Sequence, residues 1–155
     1  MELERKFLVV DDAWKSLADG VRHRQGYIST GTDRTVRIRT VGHRGILTIM
    51  GPAGGPARHE FEYDIPEAEA TVMLEQLCDQ PLLEKTRFTI RIGPLTWEVD
   101  EFNGVNRGLI VAEVELASTG QRFERPAWVG EDVSSDPRYF DANLVRHPYT
   151  SWTTP

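Results

Sequence analysis

Charge and hydrophobicity alternate along this chain at the period of a β-strand, and they do so in segment after segment. In "MELERKFLVV" the side chains of Glu2, Glu4 and Lys6 fall on one side of an extended strand, with Leu3, Phe7 and Val9 on the other. The same alternation predicts strands over 2–9, 23–29, 34–41, 45–50, 58–65, 84–92, 95–102 and 109–116. Gathered by face, one side reads Glu2, Glu4, Lys6, Arg37, Arg39, Arg58, Glu60, Glu62, Lys85, Arg87, Glu98, Asp100, Glu113 and Glu115. The other carries Val36, Ile38, Leu47, Ile49, Phe61, Tyr63, Ile65, Phe88, Ile90, Trp97, Val99 and Val114.

A merely wet sheet face would be rich in Thr, Ser, Gln and Lys, whereas this one is acids and arginines in close pairs. Eight strands in a chain of 155 residues favour closure, because a closed sheet has no open edges. The predicted fold is therefore mainly β (α+β): an eight-stranded antiparallel closed β-barrel with a charged lumen and helices packed outside. Eight acids and six bases would face that lumen. Charges withdrawn from water are costly unless paired, so such a lumen implies a highly charged ligand. Arg and Lys suit phosphate oxygens. The carboxylates must hold something positive, and oxygen ligands without His or Cys favour Mg²⁺ or Mn²⁺. The four His are isolated in the sequence, which argues against zinc. Bases, acids and a divalent cation together fit a polyphosphate.

Other features bound this reading. The length fits a single domain over 1–155. A net charge of −6 disfavours nucleic acid and anionic membranes as partners. Acids where a signal peptide has bases, with no long apolar run, predict a cytoplasmic protein. A homodimer stays open. Cys78 is the one cysteine, expected in a helix core rather than in redox work. Helices are predicted over 11–20, 66–78 and 136–145, and a Gly/Pro-rich loop over 51–58.

The motifs resemble the CYTH domain, the triphosphate tunnel metalloenzyme superfamily. The ExExK signature stands at Glu2-Leu3-Glu4-Arg5-Lys6, followed in order by "QGYIS" (25–29), "RIR" (37–39), "LTI" (47–49), "RHEFEYDIP" (58–66), "EKTRF" (84–88), "WEVDEFNG" (97–104), "GLIVAEVEL" (108–116) and "DPRYFDANL" (136–144). The resemblance implies a closed tunnel of eight strands and metal-dependent hydrolysis of inorganic triphosphate or a short polyphosphate. It implies metal ligation by Glu2, Glu4, Glu113 and Glu115, with Glu98 and Asp100 as further candidates for a metal or for orienting bases. Lys6, Arg37, Arg39, Arg58, Lys85 and Arg87 would bind phosphate. Glu60, Glu62, Lys85 and Tyr27 are the candidates for catalysis.

One position departs from the family pattern. "LTIM" (47–50) puts Met50 where the family has a lumen-facing lysine, and a thioether neither carries charge nor donates a hydrogen bond. This motivates one alternative, a module that binds triphosphate or nucleotide without turnover; a separate alternative is an enzyme for an organic triphosphate, including a class IV-type adenylate cyclase. Tyr27 and Trp97 could stack on a base, but Trp97 alternates onto the apolar face and reads as core. "DPRYFDANLV" (136–145) reads as a helix covering the barrel or as a plug in one tunnel mouth.

Overall fold

A computed structural model describes residues 3–30, 34–51, 59–118 and 120–152. Glu2, Arg58 and most of the predicted loop 51–58 lie outside the described residues. The chain forms two compact units, one of residues 1–21 and 85–155 and the other of 22–84.

Nine strands are described: β1 (Leu3–Val9), β2 (Gly20–Thr30), β3 (Thr35–Val41), β4 (Arg44–Met50), β5 (Glu60–Ile65), β6 (Leu83–Ile92), β7 (Leu95–Asn103), β8 (Ile110–Leu116) and β9 (Val129–Asp132). All eight predicted strands are present. In the first unit the order runs β6-β7-β8-β1-β9, and in the second β5-β4-β3-β2. The expected eight-stranded closed barrel needs correction on two counts. A ninth strand exists, and the pairings do not close, since β5 and β9 are each paired on one side only among the described residues. β9 is only four residues long and joins β1 with a register shift between Phe7 and Val9, which leaves no period-two pattern to read.

Two-residue turns set the hairpin registers. Gly42 between β3 and β4 and Gly93 between β6 and β7 have φ near +60°, the left-handed backbone that a glycine-first hairpin turn requires. Register then follows. On β3 and β4, Arg37 sits opposite Thr48 and Arg39 opposite Ile46. On β1 and β8, Glu4 sits opposite Glu115 and Lys6 opposite Glu113.

The apolar faces are covered in different ways. In the first unit Phe7, Phe88, Trp97, Val99, Ala112 and Val114 pack with Trp14 and Trp128. Phe7, Trp14, Trp97 and Val99 are wholly buried. Trp97 is thus core, as its alternation predicts. The cover here is not helical: the predicted helix 11–20 is a single 3-10 turn, Ala13–Ser16, that drives Trp14 inward. In the second unit a true helix, α1 (Glu67–Gln76), begins after Pro66 with Glu67 and Glu69 in its first turn, where acids favour the helix dipole. Its Ala70 and Leu74, with Cys78, cover Ile38 and contact Leu47 and Ile65. Ten residues do not reach the whole face, and Ile49, Phe61 and Tyr63 are exposed. The expected continuous outer cover is therefore incomplete over β5, an edge strand. The C-terminal segment forms a 3-10 turn, Pro137–Tyr139, and a short helix, α2 (Asp141–Arg146), rather than one helix over 136–145. No helix among the described residues is long and apolar enough to cross a membrane.

Candidate active site

Each unit presents its own row of charge. In the first unit, strand alternation brings Glu4 and Lys6 of β1, Glu113 and Glu115 of β8 and Glu98 of β7 to one face, because cross-strand partners share a side. Lys6 Nζ lies 3.2 Å from Glu113. Lys85 and Arg87 of β6 meet Asp100 of β7: Arg87 donates through Nε and Nη2 at 2.7 and 2.9 Å, and Lys85 Nζ is 3.0 Å from the same carboxylate. Arg87 also reaches Glu98 at 2.9 Å. Asp100 is 1% exposed, so both its oxygens are committed to bases in a site closed to water.

The electrostatics follow from these contacts. Burial would push the Lys85 ammonium toward neutrality, but Asp141 and Asp100 outweigh it and hold its pKa above the ordinary value. Burial would likewise raise Asp100, yet the hydrogen bond from Arg87 and the charge of Lys85 hold it below the ordinary carboxylate range. Arg87 is held more firmly charged by Asp100 against the penalty of burial. Glu98 is raised by burial despite Arg87, with Asp100 and Glu113 adding to the rise. Glu4 rises from 4.5 to about 7: partial withdrawal from water comes first, then the charge of Glu113 and a hydrogen bond shared with it, against the pull of Lys6.

The C-terminal segment enters this row. Lys85 Nζ donates to Asp141 Oδ2 at 3.2 Å, while Lys6 Nζ donates to the carbonyl of Tyr139 at 3.3 Å and lies over the Phe140 ring. Asp141 Oδ1 is buried without a hydrogen-bond partner.

In the second unit, register places Gln25 and Tyr27 of β2 beside Arg39 and Arg37 of β3. Ile46, Thr48 and Met50 of β4 continue the row, with Glu62 opposite Thr48 and Glu60 opposite Met50. Arg37 pairs with Glu60 at 4.0 Å and Arg39 with Glu62 at 3.4 Å. Gln25 Nε2 donates to the Tyr27 hydroxyl at 2.8 Å. Thr48 is fully buried and its hydroxyl has no partner, and Arg37 Nε is likewise buried without one. These two orphaned donors lie opposite each other across the ladder, where an anionic oxygen would satisfy both. Met50 is 7% exposed and sits opposite Thr35 and Glu60, with Arg37 one rung away and Arg39 two rungs away.

The CYTH domain profile matches residues 1–149, nearly the whole chain. This chain belongs to the CYTH domain family. Among its relatives is a protein of Acetivibrio thermocellus named inorganic triphosphatase, 48% identical over 151 residues that cover 97% of each chain. A protein of Nitrosomonas europaea with the same name is 37% identical over 93% of this chain and 96% of its own. A crystal structure of an inorganic triphosphatase superimposes with a TM-score of 0.74 at 32% identity, covering 94% of both chains.

Within this CYTH domain the predicted residues fall into three groups. Glu4, Lys6, Lys85, Arg87, Glu98, Asp100, Glu113 and Glu115 lie along the first unit's row, and Tyr27, Arg37, Arg39, Glu60 and Glu62 along the second's. Glu2 and Arg58 lie outside the described residues. Asp141 joins the first row and Thr48 the second, and neither is among the predicted site residues. "DPRYFDANLV" reads as a covering helix or a plug, but no periodicity in it singles out Asp141; alternation puts Thr48 on the lumen side with Met50, yet an uncharged threonine carries no signal of a ligand contact.

The donor set fits a hard divalent cation. Glu4 and Glu113, diagonal neighbours on β1 and β8, lie close enough for the charge of Glu113 to raise Glu4, a repulsion that a cation between them would relieve. No three acidic, His or Cys side chains converge into a ready cation cluster among the described residues. The pair is nonetheless all-oxygen, as Mg²⁺ and Mn²⁺ prefer.

Proposed function

We propose that this chain hydrolyses inorganic triphosphate, or a short polyphosphate, in a reaction that depends on Mg²⁺ or Mn²⁺. The observation that carries the reading is the first unit's row, where the neighbouring carboxylates Glu4 and Glu113 adjoin the bases Lys6, Lys85 and Arg87. The names of the relatives, at identities up to 48%, support it.

Glu2, Glu4, Glu113 and Glu115 are the residues to hold the cation, which when bound would neutralise charge on the phosphoryl oxygens. Lys6, Lys85 and Arg87 take phosphate oxygens in the first unit, and Arg37, Arg39 and Arg58 do so in the second. Lys85 keeps its proton in a buried site with two acids, so its Nζ stabilises charge on a leaving phosphate oxygen rather than acting as a base. Asp100 and Glu98 serve as counter-ions of Lys85 and Arg87, an assignment that takes Asp100 away from the metal. Glu60 and Glu62 hold Arg37 and Arg39 in place, and Tyr27, whose hydroxyl accepts from Gln25, is the second row's candidate for catalysis.

Phosphate release from tripolyphosphate, measured with Mg²⁺, with Mn²⁺ and in EDTA, tests this. Folded protein that releases none with either metal overturns it. Met50, a buried neutral group in the second row, favours a second reading, a binding module without turnover. Tight calorimetric binding of tripolyphosphate with no release would establish that one. An organic triphosphate has less support, because Trp97 is wholly buried and offers no ring face. Cyclic AMP formed from ATP would reverse that judgement.

A further inference from the structure

The acids that neutralise the first unit's bases are not equivalent. Asp100 is held by Arg87 and Lys85 together, through both oxygens. Glu98 and Glu113 belong to the strands themselves. Asp141 differs on each point. It arrives on the short helix α2, its side chain is 30% exposed, and it uses only Oδ2, on Lys85, while Oδ1 is buried with no hydrogen-bond partner. A carboxylate placed for stability would satisfy both oxygens, as Asp100 does. A half-satisfied one is the easier to replace. The segment that bears it is fixed elsewhere: Leu144 is wholly buried and its carbonyl accepts from Asn106. The Asp141 side chain can therefore turn away while α2 stays docked.

We propose that Asp141 is a displaceable counter-ion. In the ligand-free protein its carboxylate holds the place on Lys85 Nζ that a phosphoryl oxygen of the substrate takes. Asp141 is then a positioning residue: it keeps Lys85 charged and aimed, and it sets how strongly an anion must compete to enter. The proposal rests on the triphosphate reading above. It makes a specific demand, that removing a native ion pair should tighten ligand binding, where simple structural damage would weaken it.

The test is calorimetric titration of the full chain with tripolyphosphate in EDTA, where no turnover intervenes. Asp141→Asn should bind roughly fivefold or more tightly than the unsubstituted protein, because the competing occupant has gone. Asp141→Glu, which restores the carboxylate, should bind within about twofold of it. Equal or weaker binding by folded Asp141→Asn overturns the proposal while leaving the triphosphate reading intact. If neither the unsubstituted chain nor the variants bind in EDTA, the proposal falls, while the triphosphate reading is decided by the metal-dependent release assay above. Should Asp141→Asn fail to fold, a structure of the unsubstituted protein with tripolyphosphate decides. Lys85 Nζ on a phosphoryl oxygen with Asp141 turned away supports the proposal, and a retained Lys85–Asp141 contact refutes it.

Discussion

Asp100 separates two readings of the charged row. The family resemblance offers it either as a metal ligand or as an orienter of bases, and the structure surrounds it with Arg87 at 2.7 and 2.9 Å and Lys85 at 3.0 Å. Consider Asp100→Asn, which preserves shape and one acceptor but removes the charge. Two buried cations lose their shared counter-ion, and the new amide N–H turns a donor toward donors. Removing one partner of a buried ion pair costs about 3–5 kcal/mol. Lys85 retains Asp141 and Arg87 retains Glu98, so the lower end applies, about 3 kcal/mol. For a domain of this size that is a fall in Tm of roughly 10 °C, read by calorimetry of the metal-free protein in EDTA. Affinity for Mn²⁺ should stay within about threefold, because Glu4 and Glu113 are untouched. The pH dependence has a definite sign. The folded-state pKa of Asp100 lies below its ordinary value of 3.8, so its contribution is fully present above that value and is lost as pH falls through the folded one. The gap between the two proteins should therefore close in acid and not in base. An unchanged Tm together with lost Mn²⁺ affinity would refute the counter-ion reasoning and return Asp100 to the metal.

Two further outcomes are expected. Met50→Lys should raise tripolyphosphate hydrolysis about tenfold or more, since a charge-assisted contact contributes about 1.5–3 kcal/mol; it should leave Tm unchanged or slightly lower, because Glu60 is at hand for the new ammonium, and unchanged turnover would show that the chain no longer relies on the family's lysine. Glu4, raised to about 7, is protonated below that pH, so Mn²⁺ affinity should climb by up to about tenfold per pH unit from acid toward 7 and then level off; Glu4→Gln should flatten the climb, and a flat profile in the unsubstituted protein would remove Glu4 from the metal.

The strands and their two faces were legible because burial on one side imposes period two, and a one-residue slip would invert every pair. Glu4, Lys6, Glu98 and Glu113 reach one face for that reason alone. Cover over the apolar face was not legible in the same way. Trp14 is buried by one short turn, and Phe61 and Tyr63 are left exposed, although all three sit in segments with apolar positions. What covers a strand depends on where a separate element ends, and no local pattern records that. Asp141 is the sharper case. Its role comes from a contact 56 residues away in sequence, made by a side chain with an ordinary helical neighbourhood, so only the folded chain reveals it.

On the proposed function, charge balance in the first unit would account for why acids crowd the bases that take phosphate. Without ligand every base there is matched: Lys6 by Glu113, Lys85 by Asp100 and Asp141, Arg87 by Glu98 and Asp100. Unmatched bases in so buried a place would lower stability, and Lys85 would lose its proton to burial. Matched bases are stable but have little net attraction for an anion. A cation on Glu4 and Glu113 would withdraw Glu113 from Lys6, and displacement of Asp141 would release Lys85, while Asp100 remains to hold Arg87 and Lys85 in their orientation. On the proposed function the bases would gain most of their attraction for phosphate as cation and substrate arrive, and the acids that pair with them would divide into those that stay and those that yield.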